Sequence, residues 1–295
     1  MLAAMNDARL DELRFLARLE RERMIVFPHP NSTDSELRIA IHLLAAGVVN
    51  DATATTSSER QEFDTPARYA GPVIPYRERV EHERWKTVGA LYLRETAIIR
   101  ATHASAVRLA ELEQSIQRGR LRDPTGILID GRHAKRDLQV ALFSASPTEP
   151  VSVAFLDMNG LKSFNDDLNH DAGDEAIRAF FEVVADVIAE VGEAHRVGGD
   201  EVVITMPRTP IAAGTNLLRA ILRGLAARTV RGRRLSAAAG IACSSDPVAD
   251  AKAVRTRADE NQKRAKVYSK TGATRFAALA IDGEEGVEKI EPDVS

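Results

Sequence analysis

The chain has 295 residues, with 40 Lys and Arg against 43 Asp and Glu, a formal charge of −3, 44% hydrophobic and 28% charged residues. Such values exclude a mainly disordered chain and suggest about two domains. Near-neutral charge argues against a generally basic nucleic-acid binder. The single cysteine, Cys243, excludes an intramolecular disulfide and a multi-cysteine metal site.

No window reaches the roughly 18 apolar residues of a membrane span. Charges run through Met1–Arg23 where a secretory segment would need an apolar core. A cytoplasmic setting is therefore expected. Leu10, Leu13, Leu16, Leu19 and Met24 fall at helical spacing over 8–26, and Pro28-His29-Pro30-Asn31 breaks that pattern. Asp34 or Ser35 opens a second predicted helix that runs to Gly47. Residues 48–73 read as short strands or loops. A long helix is predicted over 79–118, with Ile98, Leu109, Leu112 and Ile116 on one heptad face and Trp85 and Tyr92 in core packing.

Asp123-Pro124-Thr125-Gly126 marks a break, after which the texture changes. Val151–Leu156 is a short apolar run typical of a buried strand. A helix over 175–191, a strand over 202–206, a helix opened by Thr209-Pro210, a strand over 235–242, a helix over 246–268 and a strand over 275–279 follow. The alternation predicts an α/β domain, whose boundary with a mainly helical part falls near residue 120. Residues 1–118 read as a helical regulatory or dimerisation domain, with a winged-helix-like module as the alternative. Residues 119–282 form the α/β domain, and 283–295 an acidic, flexible tail. Cys243 reads as a packed core thiol, and His170 as a structural hydrogen-bonding histidine.

Asp157 ends the apolar run and is followed by Met158-Asn159-Gly160-Leu161-Lys162. A carboxylate, a glycine loop and a lysine suit a metal-bound triphosphate: the acid holds a divalent cation, the N–H groups of Gly160 and Leu161 cradle phosphate, and Lys162 adds charge. The segment also reads as an aspartate capping the next helix beside a solvated lysine, the commoner case. Arg196-Val197-Gly198-Gly199-Asp200-Glu201-Val202 reads as a hairpin whose turn holds two adjacent carboxylates. Those acids either face solvent or join Asp157 across neighbouring strands. In the second case they suit two divalent metals about 4 Å apart, as in phosphoryl transfer to a hydroxyl.

Taken in order, Phe155–Lys162, Asn165-Asp166, His170, Gly173-Asp174 and Gly198–Val202 resemble the GGDEF family of diguanylate cyclases. Asp123–Gly126, Ala239–Ala242, Ala258-Asp259 and Ala265-Lys266 extend the resemblance. It implies a palm-like domain with a central, mostly antiparallel sheet flanked by helices. It implies Mg²⁺ or Mn²⁺ on Asp157, Asp200 and the Met158 carbonyl, with Glu201 either binding the second metal or helping to deprotonate an attacking 3′-hydroxyl. Asn165 and Asp174 would bind the guanine edge, Lys162, Lys266 and Lys270 the phosphates, and Gly198 and Gly199 would let the backbone approach the nucleotide. The implied reaction condenses two GTP into cyclic di-GMP and pyrophosphate across a homodimer. An inert, GTP-binding member is the alternative. A protein or small-molecule regulator of the N-terminal domain is the further partner expected. The family's product-inhibition motif, Arg-x-x-Asp, corresponds to Ala189 and Gly192, so that site is expected to be absent. Val202 stands for the usual Phe and Asn159 for a frequent Asp. Asn169 stands for a Gly, where it is expected to tolerate a left-handed turn.

Overall fold

A computed structural model describes residues 2–27, 34–51, 85–88, 91–94, 97–271 and 276–291. Met1–Gly119 and Arg120–Ser295 form two compact units.

The first unit contains α1 (Leu2–Glu22), β1 (Met24–Phe27), α2 (Asp34–Ala45), β2 (Asn50–Asp51), β3 (Trp85–Val88), β4 (Leu91–Arg94), β5 (Ala97–Arg100) and α3 (His103–Arg118). β5 lies between β1 and β2, and β3 pairs with β4. Leu13, Leu16 and Leu19 of α1 are buried with Ile41 and Leu43 of α2 and Ile99 of β5. Arg108 of α3 donates two hydrogen bonds to the Glu12 carboxylate of α1, at 2.7 and 3.2 Å.

The single helix expected over 79–118 is corrected: three strands occupy 85–100, and only 103–118 is helical. Trp85, Val88, Tyr92, Ile98 and Ile99 favour extended backbone. Thr102 then stops extension to the N-terminal side by capping α3, its hydroxyl accepting from Ser105 N–H while Ser105 Oγ accepts from Thr102 N–H. The heptad reading fails with it, since Ile98 lies in β5 and Leu112 is the hydrophobic residue of α3 that is buried. The break at 28–31, the segment 52–84 and the side chains of Trp85 and Tyr92 lie outside the described residues.

The second unit contains β6 (Ile129–Asp130), a 3₁₀ turn (Gly131–His133), α4 (Ala134–Phe143), β7 (Val151–Met158), α5 (Leu161–Asp167), α6 (His170–Ile188), β8 (Glu193–Arg196), β9 (Glu201–Met206), α7 (Ile211–Ala227), β10 (Thr229–Val230), β11 (Arg233–Arg234), β12 (Ala237–Ser244), α8 (Ala251–Tyr268), β13 (Ala277–Ile281) and β14 (Val287–Ile290). Seven strands form one sheet in the order β14-β13-β12-β7-β9-β8-β6. The β12/β13 and β6/β8 pairs are parallel, and the remaining pairs are antiparallel. This is the mixed α/β, mostly antiparallel architecture expected.

Both faces of the sheet are covered. Leu156, Val202 and Ile204 pack with Phe180, Phe181 and Val184 of α6 and Leu218, Ile221 and Leu222 of α7. Val153, Phe155 and Val203 pack on the other face with Leu138 and Leu142 of α4 and Val254 and Ala258 of α8. Val151–Leu156 is buried throughout, which explains its unbroken apolar run. Val202, in place of a Phe, is fully buried in this core.

The expected flexible tail from 283 is corrected over part of its length. Val287–Ile290 pairs with β13 as an edge strand, because Ile290 reaches the core and Glu288 accepts from Arg219 at 2.9–3.1 Å. Cys243 is half-buried on β12 rather than fully packed.

Gly240 of β12 sets the distance of α8. A Cβ there would meet Gln262 N at 2.0 Å and Ala258 O at 2.4 Å, so the helix backbone rests directly on the strand. Since neither atom belongs to a movable side chain, Gly240→Ala is expected to cost about 2 kcal/mol or more. Chemical unfolding of the purified variant checks this, and an unchanged midpoint would contradict the close packing.

Candidate active site

The sheet brings the sequence-distant acids together. β7 and β9 are antiparallel in a register that sets Asp157 directly opposite Glu201, so their side chains share one face of the sheet. The adjacent β8–β9 hairpin carries the turn: Val197 N–H donates to Glu201 O at 3.0 Å, and Met158 N–H donates to Asp200 O at 3.2 Å. Asp157, Asp200 and Glu201 are therefore neighbours at one end of β7, each only partly exposed.

Lys266 of α8 meets this cluster from the side. Its ammonium donates to Asp157 Oδ1 and, at 2.8 Å, to the Met158 carbonyl. A carboxylate oxygen and a backbone carbonyl thus converge on one positive centre. Oxygen donors of this kind suit Mg²⁺ or Mn²⁺, and the donor set fits such an ion.

Burial, then the charge of Asp157, pushes the Asp200 carboxyl above its ordinary range, while Lys266 pulls partly back. Burial also raises Glu201, reinforced by Asp157, Asp200 and Asp259. Three crowded carboxylates facing one ammonium form a site that gains from added positive charge.

Gly198 makes room for the Glu201 side chain. A Cβ there would meet Glu201 Oε2 at 2.3 Å and Glu201 Cβ at 3.1 Å, so the Glu201 side chain folds across the glycine. Gly199 faces open space. Arg196 braces both peptides, donating to Gly198 O at 3.1 Å and Gly199 O at 2.7 Å, and reaches Asp123 Oδ2 at 3.3 Å. Asp123 is 4% exposed and accepts from Thr125 N–H and Leu128 N–H, both at 3.0 Å, and from the Thr125 hydroxyl at 2.8 Å. Burial alone would raise its pKa, but these bonds and Arg196 outweigh it and hold the carboxyl low. The bracing role of Arg196 and Asp123 was not evident in the sequence. Its signals are an Arg immediately before Gly-Gly and an Asp-Pro-Thr-Gly turn.

The loop after β7 is shaped by Gly160, at φ 78°, which begins α5. Leu161 and Lys162 stand in the first turn, where backbone N–H groups lack intrahelical partners. Lys162 is exposed and without an ion pair among the described residues. Asn165 lies against Gly173 of α6: a Cβ on that glycine would sit 2.0 Å from Asn165 Oδ1. Asn165 and the exposed Asp174 are thereby brought to one rim between α5 and α6. Asn169 corrects the left-handed expectation: its φ of 171° is extended, and its side chain caps α6 by accepting from Ala172 N–H at 2.9 Å. His170 is exposed and has no side-chain hydrogen bond among the described residues, which corrects its structural reading. Lys270 lies beyond the end of α8, exposed, and is not brought to Asp157. Asn159 turns from the acids and donates to Phe276 O at 3.0 Å.

A second set of candidate ligands, Asp137, Glu193 and His195, has its ligand atoms within 4.8 Å of one another. Arg120 pairs with both acids, Arg136 also pairs with Asp137, and His195 Nε2 lies 2.9 Å from Asp137 Oδ2. Burial raises the Asp137 carboxyl, but His195 and the two guanidiniums more than reverse this. With its charge already balanced, this set reads as an ionic tie from α4 to β8.

Two outcomes test the site's electrostatics. Arg196→Ala is expected to cost about 1–3 kcal/mol at pH 7, read by urea unfolding. Because the Asp123 pKa is lowered by folding, its contribution is present above the ordinary carboxyl pKa of about 4 and fades on acidification, so the gap should narrow there. The Asp200 pKa is raised, so its ionised form disfavours the folded state at neutral pH and this cost vanishes in acid. Asp200→Asn should therefore raise the metal-free Tm at pH 7, with a gain that shrinks toward about pH 4. A lowered Tm would contradict the crowding of the acids.

The chain matches the family described as "Diguanylate cyclase, GGDEF domain" over residues 121–271. It is 28% identical over 136 residues to the response regulator PleD of Caulobacter vibrioides, which covers 44% of this chain and 30% of PleD. It is 26% identical over 133 residues to the diguanylate cyclase VdcA of Vibrio cholerae, covering 45% and 38% of the two chains. The chain thus spans roughly a third of the length of these relatives. Among solved structures, the GGDEF domain of DgcB from Caulobacter crescentus in complex with c-di-GMP aligns with a TM-score of 0.48 at 25% identity, covering 55% of this chain and 97% of that one. Residues 121–271 hold the acidic cluster, the braced glycine turn and α8, and by this match the chain belongs to the GGDEF family of diguanylate cyclase domains.

Proposed function

We propose that this chain is an active diguanylate cyclase that condenses two GTP molecules into cyclic di-GMP with release of pyrophosphate. The single observation that carries this reading is the convergence of Asp157, Asp200 and Glu201 at the end of β7, with the Met158 carbonyl beside them. A divalent ion held there would neutralise the triphosphate and polarise the α-phosphorus. The likeness to diguanylate cyclases supports the same chemistry.

The protein's own groups divide the work. Asp157, Asp200 and the Met158 carbonyl would hold the ion. Lys266, which now holds Asp157, would face the phosphate oxygens when the ion is bound, with Lys162 beside it and Lys270 beyond the end of α8 as a further cation. Glu201, directly opposite Asp157, is suited to take the proton of the attacking 3′-hydroxyl. The Asp174 carboxylate accepts from guanine N1–H and N2–H₂, and Asn165 adds a further hydrogen bond. Adenine presents no such donor pair.

Each catalytic unit offers one acidic cluster and one nucleotide rim, whereas the reaction joins two nucleotides. Two copies facing one another as a homodimer would supply both. The first unit then serves as the regulatory or dimerising part. No helix among the described residues is long and apolar enough to cross a membrane. Product inhibition through an Arg-x-x-Asp site is not expected. Ala189 offers no charge, and a Cβ at Gly192 would meet Thr205 O at 2.4 Å, which leaves no room for an aspartate.

Purified protein incubated with GTP and Mg²⁺ should yield cyclic di-GMP, read by chromatography. Asp200→Ala and Glu201→Ala should lower the rate by about 100-fold or more. Asn165→Ala and Asp174→Ala should weaken GTP binding instead. No product at high protein concentration would leave the inert, GTP-binding reading, and unchanged binding in the latter pair would refute the base assignment.

A further inference from the structure

A cavity of about 470 Å³ opens beside Glu201, on the face of the sheet covered by α4 and α8. Its size falls within the range of small-molecule sites. It lies on the opposite side of the sheet from the Asn165–Asp174 rim, since α5 and α6 pack with the Leu156 and Val202 face.

Its charge is unusual for a groove next to three carboxylates. Lys135, Lys252, Arg255 and Lys263 line it, against Glu201 and Asp259. Lys263 pairs with Asp259 at 2.6 Å, which cancels that acid. Lys135 and Lys252 make no ion pair or side-chain hydrogen bond among the described residues. The central guanidinium carbon of Arg255 lies over the Phe155 ring, 5.8 Å from its centroid, which helps to hold the guanidinium in place beside Glu201. The cavity also receives the amino ends of two helices: Lys135 is in the first turn of α4 and Lys252 in the first turn of α8. Both helix dipoles add positive potential there. Two cations without an ion pair, a third that faces Glu201, and two helix ends, that of α8 capped by Asp250, converge on one cavity, and its wall is a residue of the acidic cluster.

We propose that this cavity is a second anion site of the catalytic unit, across the sheet from the Asn165–Asp174 rim, that takes a ligand bearing two or more phosphate groups. Two ligands share that chemistry: free pyrophosphate and a cyclic dinucleotide. Lys135 and Lys252 bind the phosphates, and Arg255 adds a planar donor that can also stack on a base. Occupancy places negative charge beside Glu201, so the site restrains the acid that the proposed reaction uses. The binding claim does not depend on turnover: failure to make product would remove the proposed reaction and leave this site untouched.

The test is calorimetric titration of the full chain with pyrophosphate and, separately, with cyclic di-GMP, without GTP. The Lys135→Ala/Lys252→Ala double variant changes two exposed side chains and should fold normally. At least one ligand should bind, and the variant should weaken it by about ten-fold or more while a non-hydrolysable GTP analogue binds within about two-fold of wild type. Binding of pyrophosphate alone assigns a bare phosphate site. Binding of cyclic di-GMP that Arg255→Ala weakens assigns a nucleotide site. Absence of binding by both ligands at about 1 mM, equal affinity in the double variant, or parallel loss of the GTP analogue would overturn the proposal.

Discussion

One pairing carries the rest: Asp157 on β7 sits directly opposite Glu201 on β9. Antiparallel register puts both carboxylates on one face, and the hairpin before β9 adds Asp200. Burial first, and then the charges of neighbouring acids, makes both Asp200 and Glu201 hold their protons more tightly. Such an arrangement is unfavourable for a bare fold. It becomes favourable when a cation is present, and within the chain Lys266 already plays that part.

The scaffold exists to hold that repulsion in place. Helices cover both faces of the sheet with large apolar side chains. Gly240 lets α8 press on β12, and this brings Lys266 within reach of Asp157. On the other flank, Arg196 grips the Gly198 and Gly199 carbonyls and is itself held by the buried Asp123. The Asp137–His195 contact ties the same strand, β8, to α4. The acids are therefore carried by strands fixed from both sides, which is what a metal site needs for preorganisation.

Much of this was legible in the residues. The apolar run ending in Asp157 and the Gly-Gly-Asp-Glu turn announced a strand end and a hairpin, because strand burial and turn chemistry are local. Their meeting was legible through family resemblance, since register between β7 and β9 is a long-range property. The helix predicted over 79–118 failed because the strands there, such as Trp85–Val88 and Leu91–Arg94, are only four residues long, too short to show a period of two. Val287–Ile290 escaped notice because an edge strand needs few apolar residues: Ile290 alone is buried. Asn169 shows a subtler limit. A residue type that fits two roles, left-handed turn or helix cap, is settled only by the backbone that it joins. The brace from Arg196 to Asp123 spans 73 residues, and no local pattern encodes it.

We propose that the carboxylates at the end of β7 form a divalent-metal site for which Lys266 is the internal substitute. A crystal structure of the full chain with Mg²⁺ and a non-hydrolysable GTP analogue tests it most directly. The expected result is a metal ion bonded to Asp157, Asp200 and the Met158 carbonyl, with the Lys266 ammonium moved from Asp157 to the phosphates. An analogue bound with Lys266 still paired to Asp157, and no metal between the acids, would contradict it.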